Sequence, residues 1–215
     1  SHPLASFCHK VLVALYENDI AFDKRLIDLG NADDRAELSA VWPLCKFPVL
    51  RDAARGIDLP ETTIIIEYLD QNYPGPCRFI PAAPDAALQV RLWDRFFDNH
   101  VQGPMQNIVF DKLGMVKTDV EKERAAIATA WSMIEKQLGD HQWICGDAFT
   151  LADCAAAPAL FYAATLEAIP SDAAALQAYY ERLMTRPSVA RVLEEAQPYF
   201  QYYPFADAIP ARFLR

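Results

Sequence analysis

The chain has 215 residues, 53% of them hydrophobic, which is enough for a real core and excludes a disordered protein. Asp and Glu outnumber Lys and Arg 29 to 20, a net charge of −9, so nucleic acid and anionic membranes are not the expected partners. Only seven glycines occur and no stretch reads GxGxxG or GxxxxGK, which removes the common glycine-rich phosphate cradles. The cysteines (Cys8, Cys45, Cys77, Cys145 and Cys154) are odd in number, scattered and without a CxxC pair. That pattern argues against a disulfide framework or a tetrahedral zinc site, and for a reducing cytoplasm. The four histidines show no ligand spacing, so no metal is expected. Neither a membrane-spanning run nor a secretory leader is read from the sequence.

In chain order, the string FCHKVLVALYE predicts a helix over residues 7–17, with Ser6 just before it as the expected N-cap. Residues 21–27 read as a short strand of imperfect alternation, and residues 33–41 as a brief helix. Residues 48–51 and 56–59 read as two strands joined by a turn. The following TTIIIEYLDQNY is mixed. Its isoleucines favour a strand, whereas its length and its Glu67/Leu69/Asp70 tail favour a helix stopped by Pro74. Four prolines (Pro74, Pro76, Pro81 and Pro84) oppose regular structure and mark residues 74–84 as a linker. Beyond it, alanine-rich helical patterns cover residues 86–109, 118–138, 151–166, 172–184 and 188–196. Residues 1–73 thus read as a small α/β module and residues 85–215 as an all-helical one.

Three stretches of the first module can carry chemistry. Ser6-Phe7-Cys8-His9 opens a helix, where free N–H groups and the dipole favour an anion such as a thiolate. Ser6 as a plain cap and Cys8 as a packed apolar residue is the competing reading. Lys46-Phe47-Pro48 places a proline at a strand start, where a cis bond would present Phe47's backbone to a ligand. Asp58-Leu59-Pro60-Glu61-Thr62 has capping-box spacing between Asp58 and Glu61. Alternatively Glu61 meets an ammonium group while Thr62 and the helix start hold a carboxylate. In the second module, Thr150 and Asp153 have the spacing of a capping box, with Phe149 as its staple. Pro158 predicts a kink or break in that helix.

HPLASFCHKV, WPLCKFPVL, LPETTIIIEYLDQNYP, GDAFTLADCAAAPAL and RPSVARVL, in this order and over essentially the whole chain, resemble the cytosolic glutathione S-transferase family of bacterial type. The resemblance implies a thioredoxin-like α/β domain followed by an all-helical domain, a cytoplasmic homodimer, and glutathione as co-substrate. The implied function is detoxification by conjugating the glutathione thiolate to small hydrophobic electrophiles. It also implies that Phe47, before a cis Pro48, meets the cysteinyl part of glutathione. Glu61 and Thr62 would bind the γ-glutamyl group and Lys46 the glycyl carboxylate. Relatives reading HPLSPYCRKV carry their serine where this chain has Ala5. Thiolate stabilisation therefore falls to Ser6, to Cys8, or to backbone N–H groups and the helix dipole alone. Two alternatives follow: a glutathione-dependent thiol-disulfide reductase using Cys8, or a non-catalytic glutathione- or ligand-binding protein of the same fold. The electrophile pocket is expected around Met105 to Leu113. The family's first strand would lie upstream of His2-Pro3, inside the sheet. A sheet without it would leave inner backbone groups unsatisfied, so residues are expected to precede Ser1.

Overall fold

A computed structural model describes residues 1–214. The first helix, α1, runs Ser6–Glu17. Its N-cap is Ala5, not Ser6: Ser6 already has helical geometry, and its side chain makes no cap bond. The short helix α2, Ala32–Val41, has the better start, because Asn31 accepts from the N–H groups of Asp33 and Asp34. Two strands, β1 (Leu50–Asp52) and β2 (Ile57–Leu59), pair antiparallel in the register Leu50↔Leu59, Arg51↔Asp58, Asp52↔Ile57. Helix α3 spans Thr62–Asn72, so the isoleucine run is helical. Ile65 and Ile66 are fully buried beside Leu69, the helical spacing that decides the mixed signal.

Residues 21–27 do not join a ladder. The segment is anchored at its end, where the Ile27 N–H donates to the Ser1 carbonyl at 2.9 Å and the Ser1 ammonium donates to the Arg25 carbonyl at 2.9 Å. Between this segment, α1 and β1 lies an apolar groove of about 550 Å³, lined by Leu12, Phe22, Leu38, Phe47, Leu69 and Tyr73 among others.

The proline-rich stretch is irregular but pinned. Asn18 donates to the Cys77 carbonyl at 3.0 Å and accepts from the Cys77 N–H at 2.8 Å. Gly75 permits this approach, since a Cβ there would meet Asn18 at 2.6 Å. Phe79 is fully buried, its N–H on Asp70 at 2.9 Å. Pro84 then opens α4, Pro84–Phe96, at a first-turn position that needs no N–H donor.

Helix α4 continues through a π-helical turn, Phe97–Gln102, into α5, Gly103–Lys112. Pro104 accounts for the widened turn: it has no N–H for the His100 carbonyl, and its ring would clash there. The Gly103 N–H instead reaches back five residues to the Asp98 carbonyl. Helices α6 (Val120–Leu138), α7 (Leu151–Ala163), α8 (Ala174–Met184) and α9 (Pro187–Ala196) complete the bundle.

All thirteen residues of α7 are buried, and its six alanines let α1, α4 and α8 approach closely. The helix runs unbroken through Pro158, so of the kink or break expected there the break does not occur. Burial on every side supplies more stabilisation than the ~3 kcal/mol an interior proline costs. At its start the Asp153 carboxylate reaches back to the Thr150 N–H (2.8 Å) and hydroxyl (2.9 Å), and takes the Tyr179 hydroxyl at 2.6 Å. Phe149 packs edge-on against Trp143, and Arg186 lies 4.1 Å over its ring. Arg186 also pairs with Glu17 of α1 through two bonds of 2.7 and 2.6 Å, tying α1 to α9. Among the described residues no helix is long and apolar enough to cross a membrane.

Candidate active site

Three chain segments meet at one end of the β1–β2 hairpin. Because Leu50 faces Leu59, the residues just outside this pair, Phe47-Pro48 on one side and Glu61-Thr62 on the other, leave the sheet together. The third segment is the start of α1. His2 stacks on Phe47 with ring centroids 5.8 Å apart, and Lys10 donates to Thr63 at 3.2 Å. The Phe47–Pro48 peptide is cis, as the family resemblance implies.

Glu61 is the N-cap of α3, with φ +68° and ψ 112° and no cap bond from its side chain. A non-glycine residue in that region costs of order 1–3 kcal/mol, and such strain gathers at ligand sites. The capping box expected with Asp58 does not form: Asp58 lies in β2 and pairs across the ladder with Arg51 at 2.8 Å. The Glu61 carboxylate has no partner among the described residues, nor does the hydroxyl of Thr62, the first helical residue. The first N–H groups of α3 are open as well. Lys46 is exposed and likewise has no carboxylate partner among the described residues. Glu61, Thr62 and the start of α3 thus offer an acid, a hydroxyl and a helix N-terminus without hydrogen-bond or ion-pair partners among the described residues, and Lys46 is an exposed cation in the segment that leads into Phe47-Pro48.

The first turn of α1 presents two other candidates. Ser6 is 5% exposed, and its hydroxyl accepts from the Gln102 amide at the end of the π turn. Cys8 is 1% exposed and its sulfur accepts from the His2 N–H at 3.4 Å. Burial pushes the Cys8 thiol up to about 11, outweighing that hydrogen bond. A thiol of that kind is a packed residue at neutral pH, the opposite of a reactive thiolate. His9 is buried too; its Nε2–H donates to the Pro3 carbonyl at 2.6 Å, and burial brings its pKa down to about 4.

Beside the open corner sits a closed one. Lys10, 1% exposed, contacts Asp94 at 2.6 Å and Asp98 at 2.8 Å. Thr63 donates to Asp94 at 2.7 Å, and Arg95 bonds Asp94 (2.9 Å), Asp98 and Thr63. Two cations and two anions thus cancel around one hydroxyl, joining α1 and α3 to α4. Burial still raises the Asp98 pKa, with Lys10 opposing it. The sequence reading missed this cluster and Gln102. The available signal was Lys10 inside an apolar string, and Asp94 and Asp98 on the helix face that also carries Val90, Trp93 and Phe97.

The comparisons agree with this layout. The family model described as "Glutathione S-transferase, N-terminal domain" matches residues 2–77, and that described as "Glutathione S-transferase, C-terminal domain" matches residues 103–187. The chain belongs to the glutathione S-transferase family. Its thioredoxin-like domain with the small antiparallel sheet, followed by a helical domain, is the fold of that family. A Fusarium glutathione S-transferase-like protein, LUC7, is 32% identical over 59% of this chain and 59% of its own length, so the chain spans under two thirds of that relative. Escherichia coli glutathione S-transferase GstB is 26% identical over 86% of this chain and 91% of its own. A glutathione S-transferase from Methylobacillus flagellatus, solved with glutathione bound, superposes with a TM-score of 0.77 at 25% identity, covering 89% of this chain and 96% of that one.

Within this family fold, the helical-domain residues expected to line an electrophile pocket divide. Met105 and Ile108 are buried in the core, whereas Leu113 is exposed.

Proposed function

We propose that this glutathione S-transferase family member conjugates the glutathione thiolate to small apolar electrophiles, releasing the leaving group as the carbon–sulfur bond forms. The observation that carries the reading is the unclaimed corner, above all the unpaired Glu61 carboxylate held in left-handed backbone at the α3 N-terminus. Glu61 takes the γ-glutamyl ammonium. Thr62 and the free N–H groups of α3 take its carboxylate. Phe47 offers its backbone to the cysteinyl unit beside Pro48, and the exposed Lys46 takes the glycyl carboxylate.

The sulfur then lies at the α1 N-terminus. The helix dipole and a hydrogen bond donated by Ser6 favour its ionised form. Cys8 is read as a packing residue, since burial raises its thiol to about 11, and this favours conjugation over the reductase alternative. In this reading residues 1–73 form the glutathione domain, 74–84 the linker and 85–215 the electrophile domain, in a cytoplasmic homodimer. Ile64 of α3 and Leu88 and Leu92 of α4 (51%, 63% and 54% exposed) supply the apolar dimer face, which sedimentation of a Leu88→Glu variant tests.

The deciding experiment is conjugation of glutathione to a chloroaromatic electrophile. Ser6→Ala should lose activity sharply while Cys8→Ala retains it. An unaffected Ser6→Ala together with a dead Cys8→Ala would transfer the chemistry to the cysteine.

A further inference from the structure

Ser6 and Lys10 stand one turn apart on α1, and Gln102 and Asp98 stand four residues apart across the π turn. Each of the first pair meets one of the second: Lys10 meets Asp98 at 2.8 Å, and Ser6 meets the Gln102 amide. The two rungs form one clamp between the domains. The lower rung is part of the neutral buried cluster and is fully explained by architecture. The upper rung is not, because it ends on a hydroxyl at the start of α1, beside the helix dipole and free N–H groups.

A serine hydroxyl has one proton and two lone pairs. The Gln102 amide is a donor to Ser6, so it occupies a lone pair and leaves the proton unused. Gln102 is itself 2% exposed, and it is brought to α1 by the π turn that Pro104 enforces. Its direction is therefore fixed by packing. We propose that Gln102, contributed by the helical domain, is a positioning residue that holds the Ser6 proton toward the glutathione sulfur. This rests on the reading of Ser6 as the thiolate donor.

The test uses the full chain and four variants: Gln102→Met, Gln102→Glu, Ser6→Ala and the double variant Ser6→Ala/Gln102→Met. The readouts are the pH profile of kcat/KM and the ultraviolet thiolate absorbance of bound glutathione. Glutathione Kd and thermal midpoint serve as controls. Gln102→Met keeps volume and loses the donor. It should lower kcat/KM at neutral pH up to about tenfold, the worth of one neutral hydrogen bond, and recover at alkaline pH with Kd within about twofold. Gln102→Glu, nearly isosteric, should lose more, because a carboxylate accepts the Ser6 proton and turns it from the sulfur. In the Ser6→Ala background, Gln102→Met should add nothing.

A Met variant with the wild-type profile, or one with the same effect with and without the Ser6 hydroxyl, overturns the positioning role. If Ser6→Ala shifts the profile and Gln102→Met does not, only this inference fails. If Ser6→Ala leaves the profile unmoved, the donor reading fails and takes the positioning role with it. Should Gln102→Glu not fold, the Met variant and the double variant decide alone.

Discussion

Thr62 and Thr63 are neighbours in sequence and belong to opposite environments. Thr63 sits in a saturated cluster where Lys10, Arg95, Asp94 and Asp98 satisfy one another between the two domains. Thr62, though buried, adjoins Glu61 and the start of α3, which like the exposed Lys46 have no hydrogen-bond or ion-pair partners among the described residues. The first arrangement is costly to disturb and indifferent to ligand. The second costs the fold something, through the Glu61 backbone, and offers nothing in return until an ionic ligand arrives. Mutually satisfied polar groups mark architecture; unsatisfied ones in strained backbone, whether exposed like Glu61 or buried like Thr62, mark a candidate site.

The largest effect expected of this contrast is in the closed cluster. Lys10→Met removes one buried cation and leaves Asp94 and Asp98 short of a partner, a loss of about 3–5 kcal/mol by denaturant unfolding. A loss under about 1 kcal/mol would break the comparison. Next comes pH. His9 is neutral in the fold with a pKa of about 4, against about 6.5 when unfolded. The unfolded chain therefore binds the extra proton between those values, and stability falls as pH drops from about 6.5 to 4, by roughly 3 kcal/mol at the limit. His9→Gln should flatten that part of the stability–pH curve; an unchanged curve contradicts the neutral burial.

The open corner should behave the other way. At Glu61, glycine relieves the positive φ that alanine retains, so Glu61→Gly should exceed Glu61→Ala in stability by about 1 kcal/mol, read from thermal midpoints. Equal midpoints would remove the strain from the argument. The smallest change is Lys46→Ala, which should alter stability by no more than about 0.5 kcal/mol while weakening glutathione binding.

Much of this was legible in the sequence, and the exceptions have physical causes. The helical periods placed nearly every helix because each must bury an apolar stripe, which leaves its mark whatever the tertiary context. Residues 21–27 pair with no strand among the described residues, since a strand exists only with a partner and alternation cannot reveal whether one is present. Ser6 failed as a cap because capping depends on where helical geometry begins, here one residue earlier. The Pro158 helix stayed whole because burial outweighed a local rule. The cis Phe47–Pro48 bond was legible through the family resemblance, because it belongs to a short motif in fixed order, whereas the roles of Glu61, Thr62 and Lys46 are proposals. Gln102 and the Lys10 cluster were missed because their partners lie 50 to 100 residues away, and only the fold brings them together.

The central claim is that the unclaimed corner is the glutathione site. Calorimetric titration of glutathione into the wild-type chain and into Glu61→Ala tests it most directly. Saturable one-site binding should weaken about 10- to 100-fold in Glu61→Ala, the worth of a charge-assisted bond, with the thermal midpoint nearly unmoved. Binding of equal strength in both proteins, or none in the wild type, would contradict it.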